Sequence, residues 1–550
     1  MQIAPDSHRY AEQRYVSMRK ARQQVWPIWR QIARTYLPYT HPWLISTQKN
    51  ETVSLNEYYM TSVGLRAARV QTAGLMNGIT SPTRPWLKLS IGNDPSLLQL
   101  STKQWLQRAT TVLHNVMARS NYYNTMAMNY FDVGLMNISG MQIFEDQQDV
   151  IRCQRFNTGE FYVEFDNQQR LRSYARELKL SLLDLKETFG EENLPKELQE
   201  KLKNPKSLAS KETVVHFVSR TLPGLPKAVD RREWKELYWL QSPRDDKGEV
   251  LSAKGYKDQP AIFPRWSAEL EYGVSPGMEA LADMNELIQL ILDKGVGIES
   301  MVKPPMLFDA TLRNQRKSTV PGGHTYVPNL AQFIGAKPAF QLNIPVQELR
   351  ADIMEVTKSI EETFHNPLFN MISQLDTVRS AAEIDARREE KLVQLSHFLE
   401  RFENEALDPG VERIFNICLR AGLFPDPPQE VLQNNIDIQY VSILTTAQRA
   451  LNTVPMERLL TMVGNVYNVK PEVLDLIDFD EFTYQYGDSI GNNPTIFKEK
   501  AMVEQDRAAR EQASSAAMMS QAAPDITTAA KNLSETDVGG GANALQRLLG

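Results

Sequence analysis

Cysteine is scarce: the 550 residues hold two, Cys153 and Cys418, far apart in the chain. Two isolated cysteines form neither a CxxC pair nor a four-ligand zinc site. The expectation is two buried, reduced thiols behaving as small hydrophobes. No apolar run reaches the roughly 18 residues that a membrane-spanning helix needs. The opening stretch MQIAPDSHRY is polar and lacks the basic-then-apolar layout of a signal peptide. A soluble protein made in a cytoplasm, without direct membrane contact, is therefore expected. An excess of one charge is missing too: 61 Lys and Arg stand against 67 Asp and Glu, a net charge of -6. Proteins that grip DNA are usually basic, because Lys and Arg replace phosphate counterions. If this chain handles DNA, it does so by letting it slide.

Local catalytic signatures are absent as well. There is no G-x-x-x-x-G-K-[ST] phosphate loop, no H-E-x-x-H, no Asp-rich calcium loop and no G-x-S-x-G elbow. Gly295-Val296-Gly297 lacks a third glycine and sits late in a predicted helix, not after a strand. The seven histidines, His8, His41, His114, His216, His324, His365 and His397, are scattered, none at metal-ligand spacing from another His or a Cys. Runs such as Arg388-Glu389-Glu390 suit a solvated helix face. No catalytic, cofactor-binding or metal-ligating residue is nominated, and the chain is not expected to be an enzyme.

What is present is ordinary globular material. Hydrophobic residues make up 42% and charged residues 23%, enough to build a large core. The length suggests about three or four regions at roughly 150 residues each. Residues 8–40 and 57–80 read as helices, the second stopped by Ser81-Pro82-Thr83-Arg84-Pro85. Trp86 to Ile91 alternates as a half-buried strand does, and residues 102–136 are mostly helical. Residues 140–265 carry short alternating runs at Met141–Phe144, Phe161–Phe165, Val214–Val218 and Glu236–Leu240, interrupted by a charged helical stretch at 177–205. This is an α+β, mainly helical pattern with antiparallel strands.

A boundary falls at Gly273-Val274-Ser275-Pro276-Gly277. Ser275 suits an N-cap and Pro276 the first helical position. A helix from Met278 to Ser300 should follow, about 36 Å long at 1.5 Å per residue, stopped by Pro304-Pro305. A second helix should begin at Pro345, with Leu349, Ile353, Val356, Ile360 and Phe364 along one face. Two long helices thus flank an insertion of Pro, Gly, Asn and short strand-like runs. After His365-Asn366-Pro367 a loop runs through Thr377, and Ser380-Ala381-Ala382-Glu383 is a capping box opening another helix. Asp408-Pro409-Gly410 should turn the chain into a helix from Val411 to Leu419. The stretch beyond residue 505, rich in Ala, Ser, Gln and Gly, should be at most partly helical.

Five stretches, in order, carry a resemblance across most of residues 10–425. They are Gly74-Leu75-Met76-Asn77-Gly78-Ile79-Thr80-Ser81-Pro82 with Arg84-Pro85-Trp86-Leu87-Lys88-Leu89; Ser120-Asn121-Tyr122-Tyr123 with Phe131-Asp132, Gly134 and Ile143 to Asp146; Glu160, Tyr162 and Asp166 leading to Tyr174-Ala175-Arg176-Glu177; Pro264-Arg265-Trp266 with Tyr272-Gly273 and Ser275-Pro276-Gly277; and Val378-Arg379-Ser380-Ala381-Ala382-Glu383-Ile384 to Arg387. Together they resemble the portal, or head-to-tail connector, family of short-tailed phages. The last stretch departs from the family's pattern, which reads closer to Met-Thr-Ala-Thr-Glu, while keeping a helix start.

The resemblance implies a wing over residues 1–274, a first stem helix at 275–301, a clip at 302–344 and a second stem helix at 345–364. A tunnel loop at 365–379, further wing helices at 380–424, a crown at 425–505 and a flexible or barrel-forming tail at 506–550 complete it. It implies a homododecameric ring at one capsid vertex of the virion, assembled in the host cytoplasm. The ring would initiate procapsid assembly and serve as the channel for packaging and ejecting double-stranded DNA. Its partners would be the terminase large subunit, major capsid protein, scaffolding protein, tail adaptor and tail tube proteins, with internal core proteins as further candidates. No cofactor is implied. Leu287, Ile291, Leu349, Ile353, Val356 and Ile360 are expected at subunit contacts of the stem. Lys294, Lys303, Arg350, Lys358 and Arg379 are the candidate channel cations, each equally readable as a solvated or intersubunit charge. Asn366, Asn370 and Gln374 suit weak, sequence-blind contact with DNA; Leu368, Phe369 and Met371 suit a hydrophobic constriction or packing on a neighbouring subunit. The alternative is a head-tail adaptor or scaffolding protein without a channel.

Overall fold

The computed structural model describes residues 5–40, 54–55, 59–92, 100–221, 231–241, 250–269, 271–303, 306–307, 337–338, 345–373, 395–433, 436–440, 458–465, 478–480, 482–483, 486, 503–514 and 531. Two compact units divide the chain. One comprises Met1–Leu89, Gln107–Asp426 and Ile438–Thr445; the other comprises Ser90–Leu106, Pro427–Asp437 and Thr446–Gly550. Most of the expected clip, residues 374–394 with Gln374 and Arg379, and most of the expected crown and tail lie outside the described residues. Within the second unit Thr102 donates to Glu430 (2.6 Å), Arg507 binds Asp480 through both nitrogens (2.6 and 2.8 Å), and residues 503–514 are helical.

The helical readings of the N-terminal part hold. Helix α1 is Pro5–Tyr36, α2 is Val63–Gly78, α3 is Leu100–Arg119 and α4 is Tyr122–Met136. Strand β1, Leu87–Ile91, follows Trp86 as the alternation predicts. Then come two antiparallel sheets. The smaller has the order β9 (Ala261–Ile262), β2 (Gly140–Asp146), β3 (Val150–Phe156). The larger has the order β8 (Val250–Tyr256), β7 (Trp234–Leu240), β6 (Lys211–Ser219), β5 (Leu171–Ser181), β4 (Phe161–Phe165). The four strands expected from alternation are all present. The charged stretch at 177–205 is corrected: residues 177–181 belong to β5, and the helices are α5, Leu182–Phe189, and α6, Lys196–Leu202. Ser181 and Asp184 form a reciprocal capping box where strand passes into helix.

The large sheet has two unlike faces. Tyr162, Ala175, Phe217, Leu237 and Ala253 lie side by side across all five strands. They pack with Ala11, Tyr15 and Met18 of α1. The other face carries Tyr174, Arg176, His216, Glu236 and Tyr238, a polar set with side chains buried or nearly so. The main core lies alongside, built from Trp29, Ile32 and Tyr36 of α1, Phe156, Phe161, Tyr174 and Phe263 of the strands, and Tyr272, Met284, Leu287, Ile360 and Phe364 downstream.

Residues 395–402 are helical, run through a π segment at Glu403–Leu407, and continue into an α-helix, Asp408–Arg420. The turn expected at Asp408-Pro409-Gly410 is therefore not one. Pro409 lacks the N–H that would bind the carbonyl four residues back, and the wider π turn just before it absorbs the mismatch. That segment places Glu405 against Arg265, whose backbone N–H (2.9 Å) and guanidinium (2.6 and 3.3 Å) all donate to its carboxylate. Arg265 also lies 3.6 Å over the Phe165 ring. Both cysteines are buried and unpaired, and burial pushes their thiols up to about 12 at Cys153 and about 11 at Cys418. Among the described residues no helix is long and apolar enough to cross a membrane.

Removing one member of a buried ion pair strands the other. Arg265→Ala is expected to destabilise the subunit by about 3–5 kcal/mol in urea unfolding, and Arg265→Met with Glu405→Leu to recover most of it. A single variant as stable as the parent would show that the pair carries no such role.

Candidate functional site

The two long helices expected from sequence are present and packed together. Ser275 has extended backbone; its Oγ accepts from Met278 N (3.2 Å) and donates to Leu135 O (2.7 Å), with Pro276 opening the helix. A short segment, Pro276–Glu279, leads into α7, Leu281–Val302. Tyr36 Oη donates to Gly277 O (3.0 Å), and a Cβ at Gly277 would stand 2.7 Å from the Leu135 carbonyl oxygen. Only glycine lets the helix start press so closely on the end of α4. Asn137, in the left-handed conformation that ends α4, holds the approach: its Oδ1 accepts from Ser267 N (2.9 Å) and its Nδ2 donates to Tyr272 O.

Helix α8 spans Val346–Thr363 and packs along α7, where Ser359 Oγ donates to Asp283 Oδ2 (2.7 Å). Leu287 and Ile360 are fully buried, and Ile291, Ile353 and Val356 pack against the same core. Leu287, Ile291, Ile353, Val356 and Ile360, expected at subunit contacts, also pack in a seam inside one subunit, because antiparallel neighbours in one chain meet each other's apolar faces first. Leu349 is half-buried. What remains exposed is a different set: Leu292, Val296, Ile298, Met301 and Val302 on α7 and Met354 on α8. Carboxylates dominate the same helices: Asp283, Glu286, Asp293 and Glu299, then Glu348, Asp352, Glu355, Glu361 and Glu362, against Lys294, Arg350 and Lys358. Lys358 pairs with Glu362 one turn on (3.6 Å), both exposed; Lys303 and Arg350 are exposed and Lys294 half-buried. At the far end, Met306–Leu307 pairs antiparallel with Lys337–Pro338.

His365, at φ 56°, turns the chain into α9, Asn366–Ser373. The expected loop is thus a helix over these residues, since Pro367 near its start opens a helix as readily as it breaks one. Asn366, Leu368 and Phe369 are buried, and Asn370 is exposed. Leu368 and Phe369 pack within their own subunit. The side chain of Met371 lies outside the description. A Cβ at Gly74 of α2 would stand 2.2 Å from the Phe369 ring, so the glycine is the seat on which α9 rests. Trp266 stacks on Phe398 (4.2 Å) and on His365 (6.0 Å), bracing the turn.

The motif residues that carried the resemblance prove to be joints. Asn121 exchanges two hydrogen bonds with the backbone of Cys153 (2.7 and 2.8 Å), as a neighbouring strand would. Asp132 takes both nitrogens of Arg155 (2.6 and 2.7 Å), Trp86 Nε1 donates to Tyr123 Oη (3.0 Å), and Tyr15 and Tyr162 both donate to Glu177 (2.6 and 2.7 Å). Among the described residues no group of three or more His, Cys, Asp or Glu could hold a metal ion.

Comparison with known proteins agrees along nearly the whole chain. A family model described as bacteriophage head to tail connecting protein matches residues 8–497. A probable portal protein of Bordetella phage BPP-1 is 32% identical over 528 residues, covering 94% of each chain. A portal protein of Salmonella phage epsilon15 is 29% identical over 494 residues, covering 88% of this chain and 87% of the relative.

Gly74→Ala is expected to unseat α9. It should cost about 1–3 kcal/mol as an overpacking change and speed amide exchange over residues 366–373. Phe369→Ala in the same chain should restore slow exchange elsewhere without re-seating α9. Unchanged exchange in the single variant would show that the contact is not what holds the helix.

Proposed function

The chain belongs to the family of bacteriophage head to tail connecting proteins, and from that premise we propose that its subunits close into a ring whose bore passes the phage genome. It is a structural component of the virion at the capsid vertex and not an enzyme. In the proposed ring, twelve subunits by resemblance, DNA moves inward during packaging and outward at ejection. The clip end of the helix pair docks the terminase, the tail proteins take its place later, and the ring seeds the procapsid with scaffolding and capsid proteins.

The observation that carries this reading is the helix pair itself. Its seam is filled from within the subunit, yet Leu292, Val296 and Met354 stay 42, 63 and 72% exposed. Large apolar side chains left on helices that need no more internal packing suit a neighbour. A ring brings one face of each subunit onto a different face of the next, a heterologous contact that closes. The intersubunit contacts of the stem are accordingly reassigned to these exposed residues, with half-buried Leu349 beside them.

Charge supports the conduit. Held cations would each bind a phosphate and slow the passing duplex, whereas a wall richer in carboxylates repels it. Lys303, Arg350 and Lys358 are the cations of the helix pair's exposed surface proposed to meet DNA. They are outnumbered by carboxylates on the same two helices. Asn370 of α9, with Met371, Gln374 and Arg379, is proposed to face the bore; Asn366, Leu368 and Phe369 support it from behind.

Electron microscopy of the purified protein tests the reading: rings with a central hole are expected, and monomers over a range of salt and protein concentration would refute it. Val296→Asp and Met354→Asp should abolish rings while leaving the thermal unfolding of the subunit within about 0.5 kcal/mol of the parent, as exposed substitutions do. Leu287→Asp should instead unfold the subunit, because it buries an unpaired charge. Rings formed normally by both exposed-site variants would move the interface elsewhere.

A further inference from the structure

The polar face of the large sheet contains a layer that protein groups alone do not satisfy. Arg176, His216 and Tyr238 lie directly abreast on β5, β6 and β7. His216 stacks on Tyr238 (4.5 Å) and meets Tyr174 edge-on (5.8 Å). One oxygen of Glu236 accepts from His216 Nε2 (2.8 Å), Tyr256 Oη (2.8 Å) and Tyr238 Oη (3.1 Å). Arg176 lies 3.7 Å over Phe156 and donates to Gln154 of β3 (3.4 Å), and Gln154 stands opposite Gln142 of β2. The two sheets therefore enclose this layer between them.

Four atoms in it have no hydrogen-bond partner among the described residues: Gln142 Oε1, Tyr174 Oη, Arg176 Nε and His216 Nδ1; the Gln142 amide N–H faces the Tyr256 hydroxyl. Their residues are buried, Gln142 and Tyr174 at 0% exposure, His216 at 1% and Arg176 at 4%. Buried polar groups in native proteins almost always find a partner. One orphan is tolerable; four in one layer would consume stability on the scale of a whole domain's net value.

The chemistry of the four selects the missing partner. Arg176 Nε is a donor. Gln142 Oε1 is an acceptor, and so is His216 Nδ1, because the ring's proton sits on Nε2 where it faces the Glu236 carboxylate. The Tyr174 hydroxyl serves either way. Arg176 is opposed by the Glu160 carboxylate and Glu236 already accepts three hydrogen bonds, so neither an anion nor a cation is called for. A partner that both donates and accepts, is neutral, and is small enough to lie between packed sheets is water.

We propose that ordered water is bound in this layer, bridging Gln142 on the smaller sheet to Arg176, Tyr174 or His216 on the larger. A buried water makes about three hydrogen bonds, so one or two molecules would satisfy the set. The bound water then acts as the polar link between the sheets: it fixes their separation and register at the place where side chains fall short.

The test uses the full chain. A crystal or cryo-electron map that resolves waters elsewhere in the core should show a peak within hydrogen-bond distance of at least two of the four atoms. Absence of such a peak overturns the proposal, and a peak whose neighbours are all donors or all acceptors marks an ion and overturns it too. The solution counterpart is the near-isosteric Tyr174→Phe, which alters neither backbone nor charge. If the layer is wet, the variant removes a partner of the bound water and lowers the melting temperature by about 2–4 °C or more. If the layer is dry, it removes an unmet hydroxyl and raises the melting temperature, which counts against the proposal.

Discussion

The fold turns on one contact between helix ends. The carbonyl of Leu135, left over at the end of α4, accepts the Ser275 hydroxyl, and the same hydroxyl oxygen caps the start of the next long helix. A helix leaves its last carbonyls and first N–H groups unpaired. Here one serine answers both deficits. Gly277 permits the approach, Tyr36 holds it from α1, and Asn137 ties the strands' exit at Tyr272 to the same spot. Everything downstream inherits its direction from this joint. The course of α7 sets that of α8, which packs along it, and α9 is then delivered onto Gly74.

Charged joints add specificity to that frame. Arg265 with Glu405, Asp132 with Arg155, and Arg413 with Asp258 (3.4 Å) all tie segments far apart in sequence. Such pairs recover little net stability against well-packed apolar residues, because desolvation offsets their attraction. Their geometry is demanding, however, and a misregistered sheet or helix would strand a charge. For Asp132 and Glu405 burial pushes the carboxyl up, and only the opposing guanidinium keeps the charge tolerable. In the proposed ring, a subunit that must present two different faces, one to each neighbour, in the same way at every position benefits from such intolerance of alternatives.

This physics also explains what the sequence discloses. Helical periodicity located α1, α2, α7 and α8 because each buries one stripe and wets the rest. Alternation located β2, β4, β6 and β7 for the analogous reason. It failed at β5, where Leu171-Arg172-Ser173-Tyr174-Ala175-Arg176-Glu177 has few apolar positions: one face of this strand packs on α1 through Ala175, and the other enters the polar layer through Tyr174 and Arg176. Pattern rules assume a buried face is apolar. At 366–373, Pro367 read as a breaker although it stands where prolines open helices. Residues such as Asn137 and Glu405 carried no signal in themselves, since their roles depend on partners 135 and 140 positions away.

A stripe of apolar residues states that a helix face is covered, but not by what. Leu287, Ile353 and Ile360 have the spacing expected of an intersubunit seam, yet they meet inside one chain. The distinction bears on how a ring can assemble. Had the seam lain between subunits, each free subunit would expose its full length and collapse or aggregate before closing. With the seam filled internally, the surface the helix pair leaves for the proposed ring contacts is a few scattered methionine, leucine, isoleucine and valine side chains among carboxylates. Contacts of that kind are individually weak and add up only when both neighbours are in place. An assembly built on them favours complete closure over short open arcs, because each closing contact is made without a further loss of translational freedom.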